Sequence, residues 1–285
     1  AGEARARDEG RSGPAASSAG DGPPPGDWLG TSSGERLSFG GATAIIDART
    51  LDATSTGLAE GVRVVDATST ASAGGVAVLL ADGTVVSAGD VAVASVGDGT
   101  LDDGETAAAM ALTPSSAGAW LVTDRGRVIV RGGAGFFGDL AGTGLNGLIV
   151  GITPTPTGRG YRLAAADGGV FAFGDATFHG SMGGQALNAA VVGIASTPSG
   201  AGYVLAAADG GVFAFGDAVF HGSMGGQALN AAVVGIVSSG TGYLLAAADG
   251  GVFAFGPDAV FAGSQGGRPL DAPVVGIVGR RAPGG

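Results

Sequence analysis

The stretch LAAADGGVFAFGDAVFHGSMGG, Leu205 to Gly226, is written three times. It stands at 163–184 with Thr177 in place of Val219, and returns at 245–267 as LAAADGGVFAFGPDAVFAGSQGG. A chain that repeats so long a segment buries each copy mainly against its neighbours, so its fold is an array of like units. The Gly after the Asp of ADGGVFAFG recurs at Gly168, Gly210 and Gly250. Counting back at the same period, the slot falls on Gly126 of TDRGRVIVRGG, Gly83 of LADGTVVSAGD and Gly34 of GTSSGERLSFGGA. Leu37 and Phe39 stand there as Phe171 and Phe173 stand later, and WLG at Trp28 matches WLV at Trp120. That makes six copies, the early ones degenerate.

A second marker is the apolar run VVGI at Val191–Ile194, Val233–Ile236 and Val274–Ile277. It appears also as Ile149–Ile152 and, more weakly, as Ala107–Met110 and Val64–Ala67. The first Gly marker has no such run before it, and the last run, at Val274, has no Gly marker after it. One unit is therefore split between the two ends, which is how a circular repeat fold leaves no sheet edge open. Residues 27–278 hold six periods of 42.

Within a unit the reading is all β. VVGIAS and GYVLAAA are short apolar strands, and Asp209-Gly210 marks a tight hairpin with φ > 0 at both central residues. GVFAFG is a third strand, with Phe213 and Phe215 two apart on one face. AVFHGSM is a fourth, and GGQALNA crosses to the next unit. Small residues such as Gly193 suit strands that crowd around an axis. The expected fold is a six-bladed β-propeller over 27–278, with four short antiparallel strands per blade of ~42 residues. The C-terminal strand joins the N-terminal blade to close it. The architectural rival is an open array.

Residues 1–26 contain no Val, Ile, Leu, Met or aromatic residue and read as a disordered tail or linker; 279–285 read as a C-terminal tail. The chain carries no initiator Met and no signal peptide, which reads as a processed form or an excerpt. Gly makes up 59 of 285 residues, yet 45% are hydrophobic, so the Gly content signals packed turns and close approaches rather than a disordered polymer.

The order VVGI…GY.L…DGGVFAFGD…GSMGG resembles the blade of regulator-of-chromosome-condensation propellers. Phe173-Gly174, Phe215-Gly216 and Phe255-Gly256 take the aromatic-Gly slot of that blade. Gly180–Gly183 and Gly222–Gly225 take its GQLG slot. More closely, the chain is similar to the ~42-residue GYWLVASDGGVFAFGDA repeats of secreted and wall-associated proteins of high-GC Gram-positive bacteria. The resemblance is specific over 149–278, fair over 107–148 and weak over 27–106. It implies an extracellular or wall-associated bacterial protein. The chromosome-condensation propellers close at seven blades and six are counted here. The loops and basic surfaces behind their exchange-factor and chromatin activities are not found here.

The chemistry of the residues narrows function mostly by exclusion. Net charge is −11, and only Asp124–Arg131 approaches a basic stripe, so no nucleic acid partner is expected. No apolar run reaches the ~20 residues of a membrane span, so no membrane insertion is expected either. There is no Cys, hence no disulfide and no thiolate chemistry. Asp167, Asp209 and Asp249 read as turn residues rather than calcium ligands, and so do Asp175 and Asp217. His179 and His221 are repeat duplicates rather than a metal pair, since Phe137 and Ala262 hold the equivalent positions. Asp98–Glu105 faintly resembles a calcium loop but lacks the ligand spacing of an EF-hand.

The folded region has three Glu, no nucleophile elbow and no phosphate loop. An active site also needs different residues on different blades, and the best-formed blades are nearly identical. The expectation is a monomeric binding module, no enzyme, with no cofactor and no metal, recognising a wall glycan or a protein. The alternatives are a structural spacer or presenter within a larger secreted protein and, last, a propeller hydrolase. Trp120, Arg159, Arg162, Arg268 and Asp271 differ between blades and are the candidate binding residues, expected to cluster on one face.

Overall fold

Val64, Ile149, Val191, Val233 and Val274 each open an apolar run, and each run becomes the first strand of a unit. The computed structural model describes residues 28–31, 36–38, 63–70, 75–93, 101–270 and 272–279. Among these it has eighteen strands, no helix, and six antiparallel sheets of three. The tail assigned to 1–26 lies outside the described residues, as does all of 279–285 except Gly279.

Five sheets follow chain order. They are β3 (Val64–Ser69), β4 (Val76–Leu80) and β5 (Val85–Ala88); β6 (Ala107–Leu112), β7 (Gly118–Thr123) and β8 (Val128–Gly132); and β9 (Ile149–Pro154), β10 (Gly160–Ala165) and β11 (Val170–Gly174). Then come β12 (Val191–Ser196), β13 (Gly202–Ala207) and β14 (Val212–Gly216), and β15 (Val233–Ser239), β16 (Gly242–Ala247) and β17 (Val252–Phe255). The sixth sheet joins the two ends of the chain. β1 (Trp28–Thr31) lies between β18 (Val274–Val278) and β2 (Arg36–Ser38), with Trp28 opposite Val278 and Leu29 opposite Ile277. First strands pack side by side from β3 to β6, β9, β12, β15 and β18, and β18 also packs beside β3. The arrangement is propeller-like.

Each first strand of the five chain-order sheets carries a register shift at its start, for example between Val191 and Gly193 opposite Ala207 and Ala206. Such bulges bend a strand and sharpen its twist. Crowding then selects glycine at the third position. A Cβ on Gly193 would meet the Ile236 methyl Cγ2 at 3.2 Å, and one on Gly151 would meet that of Ile194 at 3.1 Å. This agrees with the expectation for Gly193.

Two expectations are corrected. The Asp-Gly turns have positive φ at the Gly alone: Gly168, Gly210 and Gly250 lie at +80° to +83°, while among the described non-Gly residues only Ser116 has positive φ. Gly168 N–H donates to Ala165 O at 2.9 Å, and Asp167 Oδ1 accepts from Gly169 N–H at 2.9 Å. This is a type I turn closed by a left-handed glycine, with Asp bonding its own loop, so Asp needs no positive φ. The fourth strand is also missing as a ladder. Residues 217–224 have an extended sequence pattern but form no ladder: His221 N–H and Gly222 O meet a buried Tyr hydroxyl, as described below, while Asp217 and Met224 N–H donate to the turns at Ala201 and Gly210.

Buried residues form six clusters, each shared between adjacent sheets. Leu121, Leu163, Leu205 and Leu245 occupy one repeated position on the middle strands, where β4 has Val78, and each of these leucines is at most 1% exposed. Full burial of one such side chain contributes roughly 1.5–3 kcal/mol. The repetition thus places a similar hydrophobic contribution at successive seams.

Candidate functional site

Four phenylalanines sit outside this pattern. Phe136, Phe178, Phe220 and Phe261 hold one repeated position after the third strand of successive sheets, and all are 54–59% exposed. Val219 and Val260, just before two of them, are exposed as well. Single apolar side chains on a surface are ordinary, but the same large ring exposed at four equivalent places makes these positions the candidate site.

The residue after each ring turns inward at three of these positions. Phe137, His179 and His221 pack against Tyr161, Tyr203 and Tyr243, with ring centroids 5.9, 5.9 and 6.3 Å apart. Each Tyr hydroxyl also grips the backbone there. Tyr203 Oη accepts from His179 N–H at 3.0 Å and donates to Gly180 O at 2.6 Å. Tyr161 does the same with Phe137 and Gly138, and Tyr243 with His221 and Gly222. Burial pushes the pKa of all three hydroxyls up, which keeps them protonated and donating at neutral pH. Phe136, Phe178 and Phe220 therefore stand on a pinned backbone.

Trp120 and Arg162 complete the grip, and their place corrects the expectation that they lie on a recognition surface. Both are 0% exposed. They lie on the middle strands β7 and β10, which are covered on both faces, and they fill the same slot one repeat apart. Trp120 Nε1 donates to Gly135 O at 2.6 Å, and Arg162 Nε donates to Thr177 O at 2.9 Å. Each of these carbonyls immediately precedes an exposed ring. In the next two repeats Val204 and Leu244 take the slot, with no donor. Arg162 further donates from Nη1 to Ser196 Oγ at 3.3 Å and from Nη2 to Gly200 O at 2.8 Å, and its guanidinium lies 5.1 Å from the centre of the Tyr203 ring.

The other candidates do not gather on one face. Arg159 is exposed in the β9–β10 hairpin. Arg268 is exposed beside the β16–β17 hairpin, at the opposite ends of the strands, where its N–H donates to Gln265 O. Asp271 lies outside the described residues.

The recurring carboxylates are structural. Asp217 accepts from Thr197 Oγ1 at 2.8 Å and Ser199 Oγ at 2.5 Å, which ties the end of β14 to the β12–β13 hairpin. Asp175 ties β11 to the β9–β10 hairpin in the same way through Thr155 and Thr157. The Ser and Thr hydroxyls hold both carboxyls below the usual range. In the loop read as faintly calcium-like, Glu105 accepts from Arg127 and from Thr123 Oγ1, and the Arg127 hydrogen bond draws its pKa down. Asp98 lies outside the described residues. Among the described residues no three His, Asp or Glu side chains are placed to hold a metal ion, and no helix is long and apolar enough to cross a membrane.

A cavity of ≈ 630 Å³ lies between the six first strands. Asp66 is the one charged side chain among its described lining residues, and it stands where Gly151, Gly193, Gly235 and Gly276 stand in other units. Its carboxylate accepts from Ala67 N–H at 2.8 Å and from Met110 N–H, on the next first strand, at 2.7 Å. Desolvation dominates those two bonds and pushes its pKa up to about 7.

The exposed phenylalanines and Asp66 were not among the sequence candidates. The rings were hidden because AVFHGSM reads as one more strand with its apolar face inward. Their signal was the pair of adjacent apolar residues, Val219-Phe220, which cannot both face inward on one strand. Asp66 carried a plainer signal, the exchange of Gly for Asp in VVGI.

No known family model and no curated protein matches the chain. Among solved structures, a chain from the crystal structure of a nidogen/laminin complex is similar, with a TM-score of 0.60 at 11% identity. The match covers 90% of this chain and 98% of that one. At that identity the likeness shows the fold alone, an all-β propeller-like arrangement.

Proposed function

We propose that the chain is a non-catalytic binding module, a closed six-bladed propeller that engages a protein partner through its outer row of phenylalanines. The observation that carries this reading is the exposure of Phe136, Phe178, Phe220 and Phe261, the first three on a backbone pinned by buried Tyr, Trp and Arg side chains. A ring held in place loses little conformational entropy on contact, so its burial goes into affinity. Phenylalanine offers no polar group to a sugar hydroxyl, and its flanking Val219 and Val260 favour an apolar protein surface over a glycan. The similar chain from the nidogen/laminin complex is itself part of a protein assembly, which is consistent with this use of the fold. Closure is supported by the pairing of β18 with β1 and the packing of β18 beside β3. The sequence resemblance is what supports a place outside the cell or on a bacterial wall.

The test compares the full chain with a variant carrying Ser at all four Phe positions. Each is titrated against purified wall sacculi and against the surface-protein fraction of a high-GC Gram-positive bacterium. Saturable binding to the protein fraction, lost in a variant of unchanged Tm, is the expected result. Binding to sacculi that survives in the variant would replace the protein partner with a glycan. Equal binding of both chains, or none, would leave the rings without a role and favour a spacer.

A further inference from the structure

Three of the four exposed rings have an acid three residues before them. Asp175 precedes Phe178, Asp217 precedes Phe220, and Asp258 precedes Phe261. All three acids are exposed, and packing across the seams sets them between the rings. A Cβ on Gly216, next to Asp217, would lie 2.9 Å from His179 Cγ, and one on Gly256, two residues before Asp258, 2.9 Å from His221 Cδ2. One on Gly174, next to Asp175, would lie 3.0 Å from Phe137 Cγ. Phe137, His179 and His221 are the residues that follow the exposed rings Phe136, Phe178 and Phe220. Along the row, Asp175 thus falls between Phe136 and Phe178, Asp217 between Phe178 and Phe220, and Asp258 between Phe220 and Phe261. Apolar and acidic residues alternate.

These acids stay charged and open. The hydroxyls of Thr157, Ser199 and Thr241 donate to Asp175, Asp217 and Asp258, and these bonds hold each carboxyl below the usual range. Asp217 takes one hydroxyl on each oxygen, from Thr197 and Ser199, which leaves each oxygen a lone pair. Asp258 accepts from Thr241 N–H and Oγ1 on Oδ2 alone. The ion pairs among the described residues belong to Arg127, so none involves the row. Arginine acts at one end of it: Arg159 on Asp175, and the fully buried Arg162 on Asp175 and Asp217. On Asp258 only His221 acts. The charge left uncovered therefore lies around Phe220 and Phe261, in a chain whose net charge is −11.

We propose that the phenylalanine row takes a basic segment of a protein partner, whose apolar side chains cover the rings while its Lys or Arg side chains reach Asp217 and Asp258. This rests on the reading of the row as a docking surface and adds the partner's charge. A purely apolar segment would desolvate both carboxylates without pairing them, and an acidic one would set like charge against them; either costs free energy. A cation gives each acid a partner, and the negative charge of the chain draws such a segment in from a distance.

The test titrates the full chain into three fluorescent synthetic peptides, of alternating Leu and Arg, Leu and Glu, or Ser and Arg, and reads anisotropy. The Leu/Arg peptide should bind saturably, and the other two roughly tenfold more weakly or worse. The four-Phe variant should lose the Leu/Arg peptide. Asp217→Asn with Asp258→Asn keeps an oxygen for the Ser and Thr hydroxyls and should weaken binding roughly fivefold. Asp82→Asn with Asp103→Asn removes the same charge from exposed positions elsewhere and should not. Rising salt should weaken Leu/Arg binding by the unaltered chain, a readout that needs no variant to fold. Equal binding of the Leu/Arg and Leu/Glu peptides, lost in the four-Phe variant, would keep the docking surface and overturn the basic partner. Leu/Arg binding that survives in the four-Phe variant would take the rings out of the contact and overturn both. No binding, no salt dependence, or equal effects of the two Asp pairs would overturn the proposal as well.

Discussion

Replacing Asp66 with the glycine of its sister strands should turn a pH-dependent stability into one that is less so. The carboxyl's pKa is pushed from 3.8 to about 7 in the folded protein. A folded pKa above the unfolded one means that stability is fully present below about pH 3.8 and is lost as pH rises through about 7. About three units at ~1.4 kcal/mol each give a loss of about 4 kcal/mol. Asp66 is half-buried against a cavity, so water there offsets part of this, and about 2–4 kcal/mol is expected. Glycine costs roughly 0.5–1 kcal/mol in backbone entropy at any pH, and the variant also loses the two amide bonds.

Asp66→Gly should therefore be more stable than the parent at pH 8 and less stable at pH 4. At about 2–4 °C per kcal/mol the difference in Tm should swing by roughly 5–15 °C between these limits. Thermal unfolding of both chains by circular dichroism, at half-unit pH steps, gives the difference curve, from which carboxylates common to both chains cancel. A flat difference curve would refute the reasoning, because Asp66 would then ionise as freely in the folded as in the unfolded chain.

His179 and His221 have buried Nε2 atoms without a hydrogen-bond partner, whereas Phe137 fills the equivalent position. His221→Phe should stabilise by about 1 kcal/mol in urea unfolding, the order of one relieved buried polar atom; a loss of stability would show that the nitrogen is served. Tyr203→Phe leaves His179 N–H and Gly180 O without the hydroxyl they share, and should cost about 1–3 kcal/mol by the same measurement. A neutral result would mean the loop under Phe178 is held by packing alone. Deleting 273–285 removes β18 from its place between β15, β3 and β1 and should broaden and lower the thermal transition. An unchanged transition would contradict ring closure.

The repeat made much of this fold readable before any coordinates. A glycine after Asp every ~42 residues fixed where the turns fall, and the split unit at the two ends announced that β18 meets β1. What could not be read was direction. Trp120 and Arg162 looked like variable loop residues because they break the repeat, yet they break it on middle strands, where both faces are covered and only hydrogen bonding to a carbonyl lets them stay. Phe220 looked like core because aromatic residues in strands usually are. Its outward turn depends on a Tyr hydroxyl two dozen residues later in the chain, a non-local contact that local pattern does not encode. Asp66 stood in plain view as a broken VVGI, but its neighbour Met110 comes from another sheet.

The pairing of Trp28 with Val278 also sets the order of assembly and the way the module can be mounted. Five sheets draw all their strands from short, contiguous stretches, so each can fold as it leaves the ribosome. The sixth must wait until some 250 residues have followed β1, and long loop closure of this kind is slow. In the finished molecule the chain enters and leaves on adjacent strands, a few ångströms apart. Such a module can hang from a single point of a longer polypeptide, with its other five sheets left free to turn toward a neighbour.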